Sequence, residues 1–172
     1  MSGKGFYMLN ELIYENSDID MLIMSDVIGS MSTRYTCLRP PGAAGAALLT
    51  ANNSIVYGAV RPASGSATCE QVGCMMEDGH CVRTIHAEVR AILNAARFGL
   101  VTEGATMYSI LKPCFQCTKV IVTAGISKIV YAGAAYDEER TRLLIENAPQ
   151  RIEIVRLTNS NGAPLIDYAQ EK

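Results

Sequence analysis

Two short stretches constrain this chain more than anything else in it: His86-Ala87-Glu88, and further along Pro113-Cys114-Phe115-Gln116-Cys117. Each reads as the opening of a helix. Cysteines three apart on a helix share one face about a turn apart, and at a helix start the backbone dipole favours thiolate over thiol. If the two helix starts meet at one edge of a sheet, one imidazole and two thiolates converge on a single ion. That ligand set suits zinc with its fourth position open to water. Glu88 is left over from the set. A closed structural knot has no use for it, whereas a carboxylate two residues from a ligand reaches the water without coordinating the metal.

Composition narrows what such a site acts on. The 172 residues suffice for one domain with a real core, and 49% hydrophobic with 19% charged residues is globular composition. A net charge of -2 and a pI near 5.7 give no basic field for gripping a long polynucleotide, which favours a small molecule in a pocket. No apolar run approaches a membrane span of about 18 residues, and the N-terminus lacks a signal-peptide pattern. The expected location is therefore cytoplasmic, where thiols stay reduced. The six cysteines accordingly read as metal ligands or free thiols rather than disulfides.

Pattern along the chain predicts helices alternating with short strands. Residues 1–17 read as an extension or a short added helix, 18–158 as the domain, and 159–172 as a polar tail. Asp18 caps a helix running to about Met31, with Met21, Leu22, Ser25, Ile28 and Gly29 along one face. Ala46 to Leu49 and Ile55 to Val60, separated by Ala51-Asn52-Asn53-Ser54, form a hairpin. A long irregular loop follows, from 61 to 83. The helix opening at His86 runs to Phe98 with Val89, Ile92, Leu93 and Ala96 facing the core, and Gly99 stops it. Strands at Thr106–Leu111, Lys128–Ala132 and Ile152–Leu157 alternate with helices after Pro113 and from Asp137 to Asn147. The sum is an α/β domain, a three-layer α-β-α sandwich on a mixed five-stranded sheet.

His-x-Glu followed by Pro-Cys-x-x-Cys is also the signature of zinc-dependent nucleobase deaminases. The chain resembles the deoxycytidylate (dCMP) deaminase family, and the likeness extends beyond that signature. Cys37-Leu38-Arg39, Gly73-Cys74, His80-Cys81-Val82-Arg83-Thr84-Ile85-His86-Ala87-Glu88, Thr102-Glu103-Gly104-Ala105-Thr106-Met107-Tyr108, Ala124-Gly125-Ile126 and Tyr136-Asp137 all match in the family's order. The resemblance implies the cytidine-deaminase fold and hydrolytic removal of the amino group of dCMP to give dUMP. It also implies a homo-hexamer, often regulated by a nucleoside triphosphate. It assigns the catalytic zinc to His86, Cys114 and Cys117, the proton shuttle to Glu88, and a place near the base to Tyr136.

A second, structural zinc also fits the resemblance. The candidates are Cys37, Cys69, Cys74 and His80, with Cys81 as the substitute, and a metal there would clamp the long loop. Two departures fall in the expected sugar-phosphate region. Gly58-Ala59-Val60-Arg61 stands where the family has Gly-Tyr-Asn-Gly, so Val60 replaces an amide that contacts the sugar. Ala44-Gly45-Ala46 stands displaced from the family's Val-Gly-Ala by Pro40-Pro41. Arg61, Arg39 and Lys112 are candidates to hold a phosphate, since Arg offers a fork matching its oxygens. The competing expectations are a deaminase of dCTP or a modified base, a nucleic-acid-editing deaminase, and a non-catalytic zinc protein. Acidic balance argues against the editing enzyme and Glu88 against the non-catalytic protein.

Overall fold

The computed structural model describes residues 6–8, 11–13, 17–31, 36–38, 44–78, 80–133 and 139–166. In chain order the elements are β1 (Phe6–Met8), β2 (Glu11–Ile13), α1 (Asp18–Met31), β3 (Gly45–Leu49), β4 (Ile55–Ala59), β5 (Arg61–Pro62), α2 (Cys69–Val72), β6 (Met76–Glu77), β7 (His80–Cys81), β8 (Thr84–Ile85), α3 (Ala87–Arg97), β9 (Thr106–Ser109), α4 (Phe115–Thr123), β10 (Lys128–Tyr131), α5 (Glu139–Glu146) and β11 (Glu153–Arg156). Strand alternation decides the layers, because successive side chains point to opposite faces. Met107, Ile129 and Ile154 join Ala46 and Leu48 on one face, packed with Ala91 and Ala95 of α3 and Ile121 of α4. Tyr108, Val130 and Val155 join Ala47 on the other, packed with Ile23, Met24 and Val27 of α1.

The main sheet runs β1-β2-β11-β10-β9-β3-β4. Strands β9, β10 and β11 are mutually parallel, while β3 is antiparallel to both β9 and β4. These five are the expected mixed sheet. Beyond its edge, β2 pairs parallel with β11 and β1 antiparallel with β2, where the pattern suggested an extension or short helix. Of the residues after β11, those described through Ile166 pack back on the domain. Ile166 donates its N–H to the Ala132 carbonyl at 3.2 Å, and Leu165 and Ile166 pack against the α1-side core.

Both helix faces expected from the pattern are rotated in the structure. On α3 the buried residues are Ala87, Glu88, Ala91, Ile92 and Ala95, whereas Leu93 is 51% exposed. The reason is close approach to the sheet. A Cβ at Gly58 on β4 would lie 2.5 Å from the Ala91 nitrogen and closer still to the Ala87 carbonyl oxygen. Only small side chains fit beneath a helix held that tightly. On α1, Leu22 is 67% exposed while Met24 and Val27 are fully buried. A buried carboxylate, Asp20, belongs to that inner face. It accepts a hydrogen bond from the Tyr108 hydroxyl at 2.7 Å and an ion pair from Lys128 Nζ at 2.9 Å.

Candidate active site

His86 is the N-cap residue of α3 and Cys114 that of α4. Both have extended backbone and neither side chain caps its own helix, so both are left to face the gap between the helix starts. Pro113 stands just before the cap. The parallel strands deliver both helix starts to the same sheet edge, because α4 follows β9, which lies two strands from β4.

The three expected ligand atoms form a tight triangle. His86 Nδ1 lies 3.6 Å from Cys114 Sγ and 3.3 Å from Cys117 Sγ, and the two sulfurs are 3.6 Å apart. Metal bonds of about 2.3 Å to sulfur and ~2.05 Å to nitrogen, arranged tetrahedrally, put the S–S edge near ~3.8 Å and the N–S edge near ~3.5 Å. The donor set therefore fits a four-coordinate zinc with one position left over. Electrostatics favour one thiolate in the cysteine pair, on Cys114. The Cys117 thiol holds Cys114 down to about 4, against burial and with help from His86. Cys117 is pushed up by Cys114 and by its own burial, and the Cys114 sulfur raises His86.

Glu88, in the first turn of α3, is 7% exposed. Burial pushes its carboxyl above the usual range. Ser109 Oγ donates to its Oε1 at 3.1 Å, and the Cys117 thiol lies 3.5 Å from Oε2. The carboxylate thus sits beside the triangle of candidate ligand atoms without belonging to it. Ser109 was not anticipated: it is an ordinary serine at the end of a buried strand, and only the register that puts β9 beside β3 reveals it.

A second cluster gathers Cys69, Cys74 and Cys81, with all three sulfurs within 4.8 Å of one another. Cys69 Sγ and Cys81 Sγ are 3.8 Å apart. A capping box between Thr68 and Gln71 starts α2 and places Cys69. The β6–β7 hairpin pairs Met76 with Cys81 and brings that cysteine back. Asp78, with φ +46, makes the turn, and Asp-Gly is the sequence such tight turns prefer. Cys37 is not in this cluster. It lies in the main core with Val60 and Ala87, and Cys81 is the third sulfur instead. All six cysteines are free thiols.

The remaining candidates separate. Arg61 is exposed on β5, and its Cα partner on β8 is Ile85, the residue before His86. Lys112 Nζ lies 5.9 Å from the centre of the Tyr131 ring, just before Pro113. Val60 is 8% exposed and turned into the core, so an apolar side chain fills that position. Arg39, Tyr136 and the His80 side chain lie outside the described residues.

The fold and this site define a class that sequence comparison names. The chain belongs to the cytidine and deoxycytidylate deaminase family, whose zinc-binding region matches residues 18–133. ComE operon protein 2 of Bacillus subtilis (strain 168) is 38% identical over 127 residues, 74% of this chain and 66% of that protein. The deoxycytidylate deaminase of Enterobacteria phage T2 is 54% identical over 89 residues, 51% of this chain and 46% of that enzyme. The chain thus spans about half to two thirds of the length of these relatives. In fold it is similar to the dCMP deaminase of cyanophage S-TIM5, crystallised with dCMP and dUMP, with a TM-score of 0.65 at 24% identity over 82% of this chain and 99% of that one. Among the described residues no helix is long and apolar enough to cross a membrane.

Proposed function

We propose that this chain is a zinc-dependent deaminase of a free cytosine deoxynucleotide, converting dCMP and water to dUMP and ammonia. One observation carries the reading: a buried carboxylate, Glu88, lies against the triangle of His86, Cys114 and Cys117 ligand atoms and is not part of it. Zinc bound by His86, Cys114 and Cys117 supplies Lewis acidity and a water made acidic enough to attack near neutral pH. Glu88 takes a proton from that water and delivers it to the ring nitrogen beside the amino-bearing carbon. The new C–O bond makes that carbon tetrahedral. Glu88 then takes the remaining proton from the new hydroxyl and passes it to the amino group; the C–N bond breaks as that oxygen becomes the carbonyl, and ammonia leaves. Burial suits Glu88 to hold a proton between these steps, and Ser109 fixes one of its oxygens.

The dCMP assignment is supported by relatives named deoxycytidylate deaminase. The rest of the reading follows the same family. It comprises cytoplasmic location, assembly as a homo-oligomer, regulation by a nucleoside triphosphate, and a phosphate held by some of Arg61, Arg39 and Lys112, with Tyr136 beside the base. The Cys69, Cys74 and Cys81 sulfurs fit a second, structural zinc, with His80 proposed as its fourth ligand. An ammonia-release screen of the zinc-loaded protein tests the function. It covers cytosine, adenine and guanine nucleosides, mono- and triphosphates, and a cytosine oligonucleotide. Release from dCMP alone or ahead of all others is expected. Release only from purines, or only from the oligonucleotide, overturns the reading.

A further inference from the structure

Arg90 lies one turn beyond His86 on α3, its N–H donating to the His86 carbonyl at 3.0 Å. Its guanidinium reaches out of the helix to β5. There Nη2 donates to the carbonyl oxygens of Arg61 at 2.8 Å and Pro62 at 2.6 Å. The same short strand pairs with β8, with Arg61 opposite Ile85. Residues directly opposite in an antiparallel pair project from the same face. Arg61 therefore shares a face with the residue that leads into His86, and its side chain is exposed.

This arrangement is costly as mere scaffolding. Arg90 Nε is buried with no partner. Burial and the neighbouring charge of Arg61 both disfavour the Arg90 cation. Neither guanidinium forms an ion pair with a described residue. A backbone amide or a neutral side chain would tie β5 to α3 without setting two like charges together. An anion arriving beside Arg61 offsets that repulsion, and the chemistry that supplies one is the phosphate of a nucleotide.

We propose that Arg90 is a positioning residue for substrate selection. By tying the Arg61 and Pro62 backbone to the helix that carries His86 and Glu88, it sets Arg61 at the reach needed to grip a nucleoside 5′-phosphate. This rests on the deaminase reading for the identity of the substrate, but it is testable by binding without turnover. Calorimetry on the zinc-loaded full chain compares dUMP, the product, with deoxyuridine, which lacks the phosphate. Wild type binds dUMP the more tightly. Arg61→Ala weakens dUMP about 10- to 100-fold, the loss of a charge-assisted contact, and leaves deoxyuridine unchanged. Arg90→Met reproduces that phosphate-selective loss, Arg90→Lys restores part of it, and in the double variant the losses do not multiply.

Equal affinity of wild type for the two ligands overturns the proposal. So does unchanged dUMP affinity in Arg61→Ala, or an Arg90→Met loss that is the same for dUMP and deoxyuridine. Arg61→Ala changes an exposed side chain, so it keeps the test decisive if Arg90→Met does not fold. Selective dUMP binding without ammonia release from dCMP would sink the deaminase reading and leave this one standing.

Discussion

In the proposed mechanism Glu88 faces two demands that pull against each other. It must be buried to hold a proton, and it must stay out of the metal's coordination to move one. Its place in the first turn of α3 meets both, because Ser109 takes one oxygen and leaves the other beside Cys117. Glu88→Gln keeps the shape and removes the proton transfer, so kcat falls by about 10²–10⁴-fold while zinc content by elemental analysis is unchanged. Full turnover in a zinc-replete Glu88→Gln would refute the mechanism. Ser109→Ala removes only the orienting bond. A smaller loss is expected, about tenfold, from the roughly 1–1.5 kcal/mol of one such bond, in kcat rather than KM. At this scale the sequence was most legible, because His, Glu and Cys at fixed spacing are themselves the chemistry. Ser109 and Arg90 were hidden because the contacts behind their proposed roles depend on which strands become neighbours.

Helix orientation was less legible, and the reason is physical. Apolar periodicity finds the bulkiest side chains, but α3 lies so close to β4 that alanines make its inner face and Leu93 is left outside. Gly58 is the other half of that contact. Gly58→Ala meets α3 backbone rather than a side chain that can swing away, so the helix carrying His86 and Glu88 must shift. The expected cost is at least the 1–3 kcal/mol typical of overpacking, seen as a lowered melting temperature together with weaker zinc binding. A melting curve and zinc affinity both at wild-type values would show that the contact relaxes freely. On the opposite face α1 is anchored by Asp20, whose bonds from Lys128, Tyr108 and Ser17 outweigh burial and hold its pKa below the ordinary 3.8. A depressed pKa contributes stability above the unfolded value and loses it as pH falls through the folded one. Asp20→Asn should therefore cost about 1–3 kcal/mol at pH 7, with the gap between the two proteins narrowing below about pH 4. A gap that widens in acid contradicts the anchoring role.

For the whole molecule, the order of helices and strands carried the fold, since each apolar run found its place in one sheet. What the pattern left open was the stretch between β5 and β8, a long loop with little apolar burial of its own. Four Cys and His residues there, with Cys37 from before β3, were candidates for one site. A turn gathers three of them: Asp78 folds Cys81 back beside Cys69 and Cys74, while Cys37 packs in the core. If that cluster holds zinc, the metal does for this stretch what a hydrophobic core does elsewhere, and it steadies β8 just before His86. Wild type then carries two zinc ions per chain. Cys74→Ser, altering the half-buried member of the trio, carries one and keeps the catalytic ion. Binding at a thousandfold its Kd is worth about 4 kcal/mol, so the variant should melt several degrees lower, at roughly 2–4 °C per kcal/mol for a chain of this size. One zinc per chain in wild type, with Cys74→Ser melting at the same temperature, would return these cysteines to plain packing and leave the stretch between β5 and β8 held by its hairpin and the Arg90 clamp alone.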